Sequence, residues 1–107
     1  MKVSVLKEMK DFGGAPIGHA NGQQATFRSV VCECLNCPFP SDQGQGKSYF
    51  IYLYDLGKKI MDNDEVELNA RDREIILSRV TESCFYTTIK NTVYELLQEP
   101  VAQMRAV

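Results

Sequence analysis

From Thr26 onward, apolar residues recur with the period of a helix. Phe27, Val30, Val31, Cys34 and Leu35 fall at i, i+3, i+4, i+7 and i+8, one stripe of an amphipathic helix. Thr26 is placed to cap it, and Pro38, which lacks an N–H, to stop it. A second helix is expected after Ser48, a good N-cap residue, running to about Asp62. It would bury Phe50, Leu53, Leu56 or Tyr54, Ile60 and Met61, with Gly57 weakening it by about 1 kcal/mol relative to alanine. Asn69 followed by Asp72 approximates a capping box and opens a third helix carrying Ile75, Ile76, Leu77 and Val80. A fourth helix, from about Tyr86 or Thr87 to Gln98, presents Ile89, Val93, Leu96 and Leu97, and Pro100 ends it.

The segments between these stripes have a different grammar. Residues 1–25 hold Gly13, Gly14, Gly18, Gly22 and Pro16, which exclude a long helix. They predict short extended segments or a small hairpin, with tight turns at Gly13-Gly14 and Asn21-Gly22. Asn36–Lys47, with Pro38, Pro40, Gly44 and Gly46, reads as a polar surface loop with no regular element and a mobile tip. Asp62-Asn63-Asp64 is a turn, and Glu65–Leu68 alternates like a very short strand able to pair with the N-terminal segment. The expected fold is α+β, mainly α. It has about four short helices, short N-terminal extended segments or a small hairpin, and a very short strand near 66–68. One globular domain spans 1–107, divided into a turn-rich segment 1–25, a helical core 26–98 and a tail 99–107 that is expected to fray over Val101–Val107.

Size and charge narrow the function classes. A chain of 107 residues with 44% hydrophobic and 24% charged residues has an ordinary globular composition and excludes a large multidomain enzyme. No apolar run approaches the roughly 20 residues that span a bilayer, so no membrane partner is expected. Residues 1–53 carry five basic and four acidic groups, and residues 54–107 carry seven and ten; neither half forms the basic stripe a nucleic acid requires. The N-terminus turns charged at Lys7 before a signal peptide's apolar region can form. A cytoplasmic protein with reduced thiols is the expectation.

Several groupings invite chemistry. Gly44-Gln45-Gly46-Lys47-Ser48 precedes a predicted helix as a phosphate-binding loop would. Ser41 stands where that motif needs glycine, however, and Pro38-Phe39-Pro40 where it needs a buried strand. Cys32, Cys34, Cys37 and Cys84 supply four thiols, an alternative zinc-stabilised module, but Cys84 has no paired neighbour and Cys34 lies on the apolar stripe. His19, the only histidine, could serve a cysteine nucleophile but sits among turn residues. Asp62, Asp64, Glu65 and Glu67 lack the glycine and terminal glutamate of a calcium loop. No catalytic constellation is complete and no cofactor is expected. Tyr49, Tyr52 and Tyr54, without basic neighbours for nucleic-acid stacking, form a wet tyrosine edge suited to a protein partner.

The order of motifs is also familiar. Leu6-Lys7-Glu8-Met9-Lys10-Asp11-Phe12-Gly13-Gly14-Ala15-Pro16-Ile17 is followed by the helix from Thr26, a proline-containing loop and Tyr52-Leu53-Tyr54-Asp55-Leu56-Gly57-Lys58-Lys59-Ile60. Then come Glu65-Val66-Glu67-Leu68-Asn69-Ala70-Arg71-Asp72, Ile75-Ile76-Leu77 and Val93-Tyr94-Glu95-Leu96-Leu97. Over most of its length the chain resembles small accessory proteins encoded by tailed bacteriophages and prophages. The resemblance implies a phage-encoded accessory protein acting in virion assembly or on a host factor. Together with the lack of a complete catalytic constellation, it leads to the expectation of a non-enzymatic protein that acts through protein–protein contacts, as in virion or tail assembly. The resemblance brings no catalytic residues. An acidic second half would also suit a regulator binding a host protein, and a chain this small commonly pairs with a copy of itself.

Overall fold

The computed structural model describes residues 1–98. Strand β1 (Lys2–Ser4) pairs antiparallel with β2 (Glu65–Glu67), setting Val3 opposite Val66 with both side chains in the core. The helices are α1 (Phe27–Asn36), α2 (Lys47–Asp62), α3 (Ala70–Glu82) and α4 (Thr87–Leu97). The fold is therefore α+β and mainly α, with four helices and one two-stranded sheet among the described residues. The tail 99–107, with the stop expected at Pro100, lies outside the described residues.

Two turns fold the N-terminal segment back on itself. Asp11 accepts hydrogen bonds from the N–H groups of Gly13 and Ala15, and Gly14, at φ +84°, takes the left-handed conformation that closes the turn. A second turn joins His19 to Gln23 through Gly22. Met9, Ile17 and Ala25 are linked through their backbones, so the expected hairpin is present as short bridged segments. Val3, Val5, Met9 and Ala25 are buried with the helical residues, and the turn-rich segment shares one core with the helices.

Helices α1 and α3 begin where their caps predict. Thr26 and Ser29 exchange side-chain and backbone hydrogen bonds, as do Asn69 and Asp72. Helix α2 departs from expectation: its N-cap is Gly46, and Ser48 sits inside the first turn without capping. Its buried residues are Leu53, Leu56 and Ile60, while Phe50, Tyr54 and Met61 face outward. On α3 the core contacts come from Ile76 and Val80, with Ile75 and Leu77 half-buried.

The loop after α1 is the largest correction. Pro40–Asp42 forms a short 3-10 turn, tied by Asp42 accepting from the Phe39 N–H. Arg79 of α3, only 2% exposed, reaches through the core to hold it. Its guanidinium donates to the carbonyls of Cys34 (2.7 Å) and Cys37, to both Asp42 oxygens (2.6 and 3.3 Å) and to the Tyr49 hydroxyl (3.3 Å), under the Phe39 ring. These carbonyls lie at the C-terminal end of α1, where backbone acceptors lack helical partners and the dipole favours a cation. Arg28 plays the same part for α2, donating to the carbonyls of Ile60 and Asn63 and to Asp64.

Arg79→Met is expected to cost about 3–5 kcal/mol in urea unfolding, because it strands the Asp42 carboxylate and the α1 carbonyls. The Arg79 hydrogen bond holds Asp42 below the usual carboxylate value of 3.8. A depressed carboxylate stabilises the fold above that value and stops doing so as pH falls through the folded pKa. The stability gap between wild type and Asp42→Asn should therefore shrink below about pH 4.

Candidate functional site

Viewed down its axis, α2 is apolar on two sides. One side carries Leu53, Leu56 and Ile60 into the core. The other spreads Gly57, Phe50, Met61, Tyr54, Lys58 and Ile51 over an arc of about 120°. On this outward arc Phe50 is 44%, Met61 49%, Ile51 50% and Tyr54 68% exposed. A groove of about 510 Å³ runs along its edge between α2 and α1, walled by Cys32, Leu35 and Asn36 and floored at Gly57. Lys58 lies on the rim, 3.5 Å from Asp62. Four large apolar side chains on one short helix, beside a groove, form a contiguous patch of the kind soluble proteins reserve for partners.

The three tyrosines expected at a docking edge separate. Tyr49 turns inward to Arg79 and stacks edge-on against Phe50, 5.4 Å between ring centres. Tyr52 donates its hydroxyl proton to the buried carboxylate of Asp72, while the Arg71 guanidinium lies 4.1 Å from its ring centre. The hydrogen bond to Asp72, with burial, holds the Tyr52 phenol above its ordinary value of 10. Only Tyr54 faces out. Ile51 and Met61, overlooked as partner contacts in the sequence, complete the face; the readable signal is that α2 has more apolar positions than one core-facing stripe uses.

The other groupings have structural work. Cys32 points to the Gly57 carbonyl (3.7 Å), away from Cys34, Cys37 and Cys84, which line a separate cavity of about 380 Å³ with Glu33, Ser83 and Phe85. Among the described residues no three Cys, His, Asp or Glu side chains are grouped as metal ligands. Burial raises the Cys34 thiol to about 11 and also lifts Cys32, so both stay protonated at neutral pH.

His19 Nε2 lies 2.7 Å from Ser29 Oγ, and Nδ1 lies 3.9 Å from Glu33. The row of serine, histidine and glutamate looks like a relay, yet Ser29 already accepts from the Thr26 N–H and donates to the Thr26 carbonyl. The Ser29 hydroxyl proton is thus directed at the Thr26 carbonyl, 3.1 Å away, and is not held for a base at His19. The Gly44–Ser48 stretch turns the chain into α2, with Gly44 at φ +83°. Asp64 and Glu67 are engaged by Arg28 and the N-terminal ammonium, and Asp62 by Lys58. A smaller aromatic corner gathers exposed Phe12 and Tyr86 beside Phe85.

These environments order the thiols. In native protein titrated with a thiol reagent, exposed Cys84 should react first and buried Cys34 only on unfolding. No helix among the described residues is long and apolar enough to cross a membrane. No family model, curated protein or solved structure matches the chain, and its function is to be read from its own side chains.

Proposed function

We propose that the chain is a non-enzymatic protein-interaction domain that docks through the outward face of α2. The observation that carries this reading is the exposure of Phe50, Ile51, Tyr54 and Met61 together on one helix. Aromatic and methionine side chains are enriched at the cores of protein interfaces, and a rim of Asp55, Lys58 and Asp62 gives the face a polar border. The polar groups that would suggest catalysis are occupied elsewhere: Arg79 and Asp42 fasten a loop, Asp72 caps α3, and His19 braces α1. The motif order adds a setting, that of an accessory protein of a tailed phage or prophage in a bacterial cytoplasm. There the candidate partners are a virion or tail component, a host protein or a second copy of the chain.

A photo-crosslinking amino acid at position 54, introduced in cells that make the protein, tests this. A discrete adduct is expected from position 54 and none from exposed Glu74 on α3. Adducts that are absent, or equally frequent at both positions, refute the docking face.

A further inference from the structure

The outward arc of α2 has the spacing of a coiled-coil seam. Lys47, Phe50, Tyr54, Gly57 and Met61 recur at alternating steps of three and four, the a and d positions of a heptad. We infer that this face is occupied by α2 of a second copy of the chain, packed antiparallel across a two-fold axis. The inference rests on the reading of α2 as the docking face and names its partner.

Gly57 is the first argument. Glycine weakens a helix interior, and the fold gives no reason for it here. A Cβ added at Gly57 would meet only Leu35 Cδ1, at 3.8 Å, an ordinary contact that alanine satisfies. The missing side chain instead leaves a notch in the outward face, next to the groove. Tyr54, one turn away, is the matching knob.

Knob and notch on one helix are complementary to themselves only in one orientation. In an antiparallel pair the a positions pack against d positions of the other helix. That sets Tyr54 of each copy over Gly57 of the other, Phe50 against Met61, and Lys47 at the end of α2 near Asp64 beyond the other. It also carries Lys58 alongside Asp55 of the second copy and opposes the two helix dipoles. A parallel pair would stack Tyr54 on Tyr54, leave both notches empty and place Lys47 beside Lys47. An unrelated partner would need no such reciprocity within α2, and a two-fold interface requires it. Leu35 and Cys32, at the groove wall, extend the contact beyond the two helices.

Sedimentation velocity from about 1 to 100 µM tests the pairing, with a dimer of micromolar affinity expected for so short a seam. Tyr54→Arg should weaken it by about tenfold or more, and Glu74→Arg should leave it unchanged. Gly57→Ala supplies an effect of opposite signs. It should raise the thermal midpoint in the Tyr54→Arg background, read at a concentration where sedimentation shows that variant monomeric, and weaken the dimer in the wild-type background. A chain that stays monomeric, or a dimer indifferent to Tyr54→Arg, overturns the self-pairing. If a monomeric chain still yields a heterologous adduct from position 54, the self-pairing fails and the docking face stands. If neither dimer nor adduct forms, both fail.

Discussion

The fold depends on where one buried charge goes. Arg79 leaves α3 and crosses the core to the C-terminal end of α1, where it meets the carbonyls of Cys34 and Cys37 and the carboxylate of Asp42. An uncompensated guanidinium in that position would be prohibitively costly, so the loop after α1 has to bring Asp42 to it. The 3-10 turn at Pro40–Asp42 is the local consequence. The Tyr49 hydroxyl binds the same guanidinium, so the charge also positions the first turn of α2.

Three further contacts set the roll of α2 about its axis. Tyr52 is drawn to Asp72 at the start of α3, and Lys59 reaches the same carboxylate at 3.6 Å. At the other end Arg28 of α1 gathers the last carbonyls of α2. Both inward tyrosines are thus used as polar anchors, each with an apolar ring and a hydroxyl that needs a partner when buried. With Tyr49 and Tyr52 turned in, helical geometry leaves Phe50, Ile51, Tyr54 and Met61 on the opposite arc.

Element boundaries were legible in the sequence where a side-chain cap or a glycine turn set them, and not at the start of α2, where Gly46 stands as N-cap in place of Ser48. The Thr26 and Asn69 caps and the Gly14 and Gly22 turns follow from neighbours a few residues apart, and the strand at 65–67 shows in its own alternation, although its partner at Lys2–Ser4 is distant in the chain. What was not legible was set by distant partners. Arg79 looks like an exposed helix residue until its partners in the loop after α1 are known. The hydroxyls of Tyr49 and Tyr52 likewise take meaning only from Arg79 and Asp72. Periodicity identifies α2 as a helix but cannot choose between its two apolar arcs: Phe50 and Met61 are expected on the wrong one, and of the alternatives Leu56 and Tyr54 it is Leu56 that is buried. With Tyr49 drawn to Arg79 and Tyr52 to Asp72, Tyr54 alone of the three expected tyrosines stays exposed.

The two arcs explain why the exposed face persists. Rotating α2 to bury Phe50 and Tyr54 would pull Tyr49 from Arg79 and Tyr52 from Asp72, leaving buried charges short of hydrogen bonds. Such a group costs about 1–3 kcal/mol or more, comparable with the gain from burying one apolar side chain. Leu53, Leu56 and Ile60 would also have to leave the core. The monomer therefore has no inexpensive way to hide the outward arc. In the proposed docking, removing that surface from water falls to the partner, and the Gly57 notch gives it room to approach closely.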